Sequence, residues 1–143
     1  MFIGEYHHVI DEKGRLAVPV KFRARLSKGC VVTRGLDACL WLVPEEEWQK
    51  LAGKLAGLPI AQANARAFAR FMLSGALDAT PDKQGRVMVP EYLREYAKLE
   101  KQVVVAGLYS RLEIWDKTAW EKYRKGTEAS SGEIAEQLGA LGV

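Results

Sequence analysis

Alternating and clustered apolar positions divide the chain into short strand-like and helix-like segments, and one series of segments occurs twice. Strands are indicated by period-two alternation and β-branched residues, and helix starts by proline followed by acidic residues. The first series reads DEKG (turn), RLAV (strand), VKFRARL (helix), CVVTR and CLWLV (strands), and EEEWQKLAGKL (helix). The second series reads DKQG, RVMV, EYLREYAKL, QVVVA, RLEIW and KTAWEKYRK in the same order.

An internal duplication explains this recurrence, because identical residues fall at a constant shift. The segments DEKGRLAVPVKFR and DKQGRVMVPEYLR align without a gap, and after a one-residue insertion the later strands align as well. Self-similarity in both order and spacing is typical of repeated structural modules. We therefore predict a first module over residues 1–51, a linking helical segment over 52–74, a second module over 75–123 and a C-terminal tail over 124–143.

The predicted fold class is α+β and β-rich, with the two modules combined in one body. A module of this size, mostly two hairpins, cannot bury enough apolar surface to be stable alone. We therefore expect the two copies to interleave their strands into one pseudo-twofold closed barrel with flanking helices. In the linking segment, an apolar stripe at helical spacing is expected to face the core. Core positions are also expected for the four tryptophans, Trp41, Trp48, Trp115 and Trp120.

The charge and hydropathy of the chain bear on whether the protein binds nucleic acid and whether it enters a membrane. The chain has a net charge of +3, and residues 1–36 contain seven basic and three acidic residues. Such a basic third is compatible with binding nucleic acid and equally with an ordinary solvated surface. No apolar run approaches the roughly 20 residues that cross a bilayer, and the N-terminus lacks the features of a signal peptide. We expect a soluble, cytoplasmic protein without a membrane partner.

Neither metal binding nor catalysis is predicted. The only histidines and cysteines are His7, His8, Cys30 and Cys39. Neighbouring residues of a strand point to opposite faces, so the two histidines are poorly placed to share one metal ion. Both thiols are expected to pack in the core. The sequence contains no nucleophile elbow, phosphate-binding loop or zinc-protease motif, so we predict a non-enzymatic protein without metal or cofactor.

The repeated D-x-x-G-R turn is the sharpest local signal. In each copy the aspartate is suited to bind backbone amides of the turn, and the glycine to take a positive φ angle. Two interpretations of Arg15 and Arg86 remain open at this point. Each arginine either forms a turn-stabilising ion pair with its aspartate, or presents its guanidinium to a phosphate or a guanine edge. Lys13 and Lys83 would then add phosphate contacts, since a two-stranded ribbon is able to enter the major groove.

Four segments together resemble one family of bacterial transcriptional regulators, the MraZ family. These are GEYHHVIDEKGRLAVPVKFR, TRGLDACLWLVPEEEW, LDATPDKQGRVMVP and RLEIWDKTAWEKY, and the resemblance covers residues 1–123. It implies two tandem SpoVT-AbrB swapped-hairpin modules and a nucleoid-associated DNA-binding protein that assembles into a ring-like homo-oligomer. It also implies repression of the operon for cell division and cell-wall synthesis through short direct repeats. The DNA-binding surface that it implies corresponds here to residues 11–15 and 82–86.

The resemblance and the turn chemistry together define a predicted site. The predicted DNA-binding residues are Lys13, Arg15, Arg23, Lys83 and Arg86, and the predicted turn-supporting residues are Asp11, Gly14, Asp82 and Gly85. Basic residues follow Pro19, whereas Glu91 and Glu95 follow Pro90, so we expect the first copy to be the principal DNA reader. The alternative is an oligomeric protein-binding adaptor on the same barrel, in which the basic turns are mere surface.

Overall fold

A computed structural model describes residues 1–143 and contains every element that the two series predict. The first copy comprises β1 (Phe2–Val9), β2 (Arg15–Ala17), α1 (Val20–Leu26), β3 (Cys30–Arg34), β4 (Leu40–Pro44) and α2 (Glu45–Ala56). The linking helix is α3 (Ala63–Ser74). The second copy comprises β5 (Leu77–Asp78), β6 (Arg86–Met88), α4 (Glu91–Tyr96), β7 (Gln102–Tyr109), β8 (Arg111–Asp116) and α5 (Lys117–Ala129), followed by α6 (Ser131–Gln137) and a 3₁₀ turn (Gly139–Leu141).

Strands of the two copies are interleaved in one antiparallel sheet with the order β1-β7-β8-β4-β3-β5. The hairpins β7–β8 and β3–β4 each stay within one copy, and the other pairs join strands of different copies. Strand β1 pairs along its whole length with β7, from Phe2 opposite Tyr109 to Val9 opposite Gln102. Strands β2 and β6, one from each copy, pair only with each other and form a separate two-stranded ribbon. The mixed α+β class is as predicted, and the pairing joins the two copies into one body.

The closed barrel that we expected is not seen, because the six-stranded sheet ends at β1 and β5. Strand β5 is two residues long and pairs only with β3, and β1 pairs only with β7. After β1, the chain turns through Asp11 into the separate ribbon instead of continuing along the sheet. The six-stranded sheet is therefore an open layer with two free edges.

The core lies between the sheet, the ribbon and the short helices α1 and α4. Every second ribbon residue points inward, and the short helices add Phe22 and Leu26 from α1 and Leu93 from α4. Burying such a side chain contributes about 1.5–3 kcal/mol. The largest side chains of this cluster are Phe2, Leu16, Phe22, Leu26, Leu40, Leu42, Leu93, Leu112 and Ile114.

The predicted core stripe of the linking helix is mostly wrong. The predicted members were Ala61, Ala65, Phe68, Phe71 and Met72, and of these only Met72 is fully buried. Helix α3 packs with one end on β3, where Thr33 Oγ1 donates a hydrogen bond of 2.7 Å to the Met72 carbonyl. Farther from the sheet, Phe68 is 36% exposed and stacks on Phe71 of the same helix.

The tryptophans are at least half-buried, whereas the end of the chain is exposed. Trp115 is buried, whereas the other three tryptophans are half-buried. Residues 125–143 are all exposed, although most of them are helical. None of the helices combines the length and hydropathy needed to span a membrane.

Candidate nucleic-acid interface

The aspartate side chain closes the first turn. One carboxylate oxygen of Asp11, Oδ1, accepts hydrogen bonds from the backbone amides of Lys13 and Arg15, each at 2.9 Å. The other oxygen, Oδ2, accepts from Arg15 Nε at 2.7 Å. The backbone of Asp11 also pairs with Arg15, and Gly14 closes the turn with a φ of 85°. One carboxylate thereby fixes both the turn backbone and the direction of the guanidinium.

The second turn repeats this arrangement atom for atom. Asp82 Oδ1 accepts from the amides of Gln84 and Arg86 at 2.9 and 3.0 Å, and Oδ2 accepts from Arg86 Nε at 3.0 Å. These bonds favour the ionised carboxylate. The backbone amide of Arg86 is the largest cause that lowers the pKa of Asp82, and the amide of Arg15 lowers the pKa of Asp11 in the same way.

Both arginines lie on the same face of the ribbon. Strands β2 and β6 pair with Arg15 opposite Met88 and Arg86 opposite Ala17. The middle pair, Leu16 and Val87, points to the other face and is buried. Side chains two residues apart on a strand share a face, and so do directly opposite residues. The outer face of the ribbon therefore consists of four side chains, Arg15, Ala17, Arg86 and Met88.

The ion pairs leave part of each guanidinium free. The Arg15 and Arg86 side chains are 34% and 31% exposed, and each uses Nε for its aspartate. Their terminal nitrogens make no hydrogen bond within the chain. The two interpretations of the turn are therefore compatible, because the ion pair orients the guanidinium while its outer edge remains available to an acceptor.

The two turns are joined to each other through their glycines. The Gly85 carbonyl accepts a hydrogen bond of 2.9 Å from the Val18 amide of the first copy. The Gly14 carbonyl accepts one of 2.7 Å from the Val89 amide of the second copy. Each turn is consequently bonded to the strand that follows the other turn.

Replacing Gly85 with alanine is expected to lower the free energy of unfolding by about 1–3 kcal/mol. Its φ of 75° is unfavourable for any residue with a Cβ atom, and a Cβ there would overlap the Arg23 side chain. The measurement is the thermal midpoint. Gly126→Ala is the matched control, because nothing lies within 4 Å of a Cβ at that helical position. A Gly85→Ala midpoint equal to that of the control would contradict the expectation.

Arg23 lies against the turn of the opposite copy, and Arg94 does the same in return. Nε, Cδ and Cζ of Arg23 occupy the space that a Cβ of Gly85 would need. Arg94 lies correspondingly on Gly14, with Nε 3.0 Å from the position of an added Cβ. Because Arg23 follows Arg15 closely in the sequence, we expected it beside the turn of Arg15, and this expectation is wrong. Arg94 was missed, although the internal repeat aligns it with Arg23.

This exchange also overturns the premise for a dominant first copy. Arg23 of α1 lies against the second turn, and Arg94 of α4 lies against the first. The second turn has Lys83 where the first has Glu12. Because Gln84 also replaces Lys13, the second turn contains two basic residues and one acidic residue, whereas the first contains two of each, so the second turn is the more basic.

The remaining candidate residues lie elsewhere. Cys30 and Cys39 are buried, and each thiol donates to a backbone carbonyl, of Ala79 and Leu36 respectively. Burial raises the pKa of Cys30 to about 12. His7 Nε2 lies 3.2 Å from Glu5 Oε1. The structure contains no group of three or more histidine, cysteine or acidic side chains arranged to hold a metal ion.

The stability of the protein is expected to fall through His8 as the pH drops below about 6.5. Partial burial, followed by the nearby Arg23 charge, lowers the pKa of His8 from 6.5. The unfolded chain therefore takes up this proton at a higher pH than the folded chain, and stability falls as pH drops through 6.5. Both turn aspartates titrate below this pH. Thermal melts of His8→Gln should depend less on pH than those of the unmodified protein, and an unchanged dependence would contradict this.

Comparison with known proteins agrees with the duplication. The family model described as MraZ protein matches residues 1–71 and, a second time, residues 72–139. The chain belongs to the MraZ family. Relatives named Transcriptional regulator MraZ include one from Desulforamulus reducens, 50% identical over 96% of this chain and 97% of its own length. Another, from Halothermothrix orenii, is 50% identical over the full length of both chains.

Membership in the MraZ family confirms the resemblance stated from the sequence. A third relative of the same name, from Thermoanaerobacter sp. (strain X514), is 48% identical over the full length of both chains. The names of these MraZ relatives describe transcriptional regulators and not enzymes, which agrees with the non-enzymatic prediction. In this MraZ chain, the turn arginines are the functional candidates that geometry brings together, on one face of the ribbon.

Proposed function

We propose that this MraZ chain is a sequence-specific DNA-binding transcriptional regulator that reads duplex DNA with the outer face of its β2–β6 ribbon. The observation that carries the proposal is the pair of aspartate-anchored arginines on that face. Their terminal nitrogens are unused within the chain, and each Nε is held by a carboxylate. Arg15 and Arg86 are the base-reading residues, and the exposed Lys13 and Lys83 bind phosphates.

The chemistry of the ribbon suits the major groove. A guanidinium donates two parallel hydrogen bonds to O6 and N7 of guanine, and a two-stranded ribbon fits the width of that groove. Fixing Nε beforehand reduces the side-chain freedom that is lost on binding. Ala17 and Met88 occupy the other two positions of this face, each beside both arginines in the register, and offer apolar contact with the methyl group of thymine.

The finer part of the proposal rests on family resemblance. It comprises a swapped-hairpin arrangement of the SpoVT-AbrB type, a ring-like homo-oligomer in the cytoplasm at the nucleoid, and repression of the division and cell-wall operon through short direct repeats. A net charge of +3 gives each chain modest attraction for phosphate. Several ribbons arranged along repeated DNA boxes would supply the remaining affinity through avidity.

Capture of genomic DNA fragments by the purified protein, followed by sequencing, tests this function. We expect fragments with short direct repeats to be enriched, and their affinity to fall steeply with salt, by about 0.9 log units per log unit of salt for each phosphate neutralised. A protein-binding adaptor would enrich no sequence. Binding without sequence enrichment would contradict a sequence-specific regulator, and absence of binding would contradict the proposal as a whole.

A further inference from the structure

We propose that Arg23 and Arg94 are positioning residues, each of which holds the DNA-reading turn of the opposite copy. This proposal rests on the proposed function. Neither arginine lies on the outer face of the ribbon, and both are half-buried. Arg23 packs on Gly85 and Arg94 packs on Gly14, so each reading turn is supported by a side chain from the other copy.

The contacts of Arg23 form a continuous path to the second turn. Its Nε donates a hydrogen bond of 3.0 Å to the Val18 carbonyl, and the Val18 amide donates one of 2.9 Å to the Gly85 carbonyl. The same side chain packs directly on Gly85, where it fills the space of the missing Cβ atom. Gly85 immediately precedes Arg86, so the position of this glycine sets where the reading guanidinium begins.

Arg94 forms the corresponding path to the first turn. Its Nε donates a hydrogen bond of 3.0 Å to the Val89 carbonyl, and the Val89 amide donates one of 2.7 Å to the Gly14 carbonyl. Gly14 immediately precedes Arg15. The independent occurrence of the same three contacts in both copies shows that the arrangement is a paired feature of the fold.

The geometry favours positioning over direct contact with DNA. In both paths the Nε atom is committed to a backbone carbonyl, and the side chain is packed against a glycine. A bidentate contact tolerates displacement of only about 0.5 Å, so a reading arginine needs a supporting structure of this kind. Loss of Arg23 should therefore loosen the turn of Arg86, and loss of Arg94 should loosen the turn of Arg15.

Hydrogen–deuterium exchange of the full chain tests the crossed assignment without DNA. We expect Arg23→Gln to accelerate amide exchange in residues 82–86 and to leave residues 11–15 unchanged, and Arg94→Gln to have the reverse effect. Lys28→Gln is the charge-matched control, because it removes one exposed positive charge close to α1. Faster exchange in the variant's own turn, in both turns equally or in neither would overturn the proposal.

DNA affinity separates positioning from a direct phosphate contact. For a duplex selected from genomic fragments, Arg23→Gln should lower the affinity about tenfold. In the double variant of Arg23→Gln and Arg86→Ala, the fold-losses of affinity should not multiply, because both changes act on the same turn. The losses of Arg23→Gln and Arg15→Ala should multiply. Arg23→Lys keeps the charge but not the planar fork, and should therefore restore affinity only in part. Full restoration by lysine, or a salt slope lower by about one in Arg23→Gln, would overturn the proposal in favour of a phosphate contact.

Failure of this proposal is distinguishable from failure of the proposed function. If the unmodified protein binds no duplex DNA, the function fails, and the exchange experiment still reports whether the turns are supported across the copies. If the protein binds DNA and the exchange pattern is not crossed, only the positioning role fails.

Discussion

Replacing Arg15 and Arg86 together with alanine is expected to abolish sequence-specific DNA binding, so that the affinity for a selected duplex falls to that for a scrambled duplex. Each bidentate contact with guanine contributes about 1–3 kcal/mol of discrimination. The single variant Arg86→Ala should lose more affinity than Arg15→Ala. The reason is that the second turn has Lys83 and Gln84 where the first has Glu12 and Lys13, so the second turn is more positive by one charge.

Thermal melts provide the control for these variants. The two ion pairs are partly exposed, and such pairs contribute only about 0–1 kcal/mol to stability. The melting temperature should therefore change little while the DNA affinity falls. A melting temperature lowered in step with binding would show that the arginines only support the turns. A larger loss in Arg15→Ala than in Arg86→Ala would contradict the electrostatic difference between the two turns.

Separating the two copies is expected to unfold both. Strand β1 has no partner other than β7, and β2 has none other than β6, so residues 1–74 alone would lose the pairing of two of their four strands. Strand β4 would also lose β8. The remaining hairpin of β3 and β4 is too small to be stable in water. Circular dichroism of residues 1–74 and of residues 75–143 should show unfolded chains, and mixing the two should restore the native spectrum.

The matched control is a chain of residues 1–129. It lacks only residues that are fully exposed, including α6, and should therefore keep the stability of the complete chain. A cooperative thermal transition in residues 1–74 alone would contradict the interleaved fold. Failure of the mixed halves to regain the native spectrum, under conditions in which residues 1–129 refold, would contradict it as well.

The secondary structure was largely predictable because its signals are local. Helix α1 and strand β3 have the bounds expected from their residue pattern, and both D-x-x-G turns have the hydrogen bonds expected of their aspartates. The internal repeat also indicated that the copies combine in one body. Whether the sheet closes into a barrel was not predictable, because closure depends on whether the edge strands β1 and β5 pair with further strands.

The candidate site was predictable only within each turn. Asp11 and Arg15 are four residues apart, and their contact follows from the turn itself. The contact between Arg23 and Gly85 joins residues of different copies, and nothing in the local pattern assigns α1 to one turn rather than the other. The sequence therefore indicated correctly that each arginine contacts the aspartate of its own turn, but placed Arg23 beside the wrong turn.

Hydrogen–deuterium exchange with and without a selected duplex tests the central claim most directly, because it locates the DNA on the protein. We predict that DNA slows exchange in residues 11–18 and 82–89, which contain both turns and the ribbon, and leaves residues 117–141 of the C-terminal helices unchanged. A scrambled duplex at the same concentration should produce little protection. Protection confined to the C-terminal helices, or absent from both turns while the duplex is bound, would contradict the assignment of the ribbon as the DNA-binding surface.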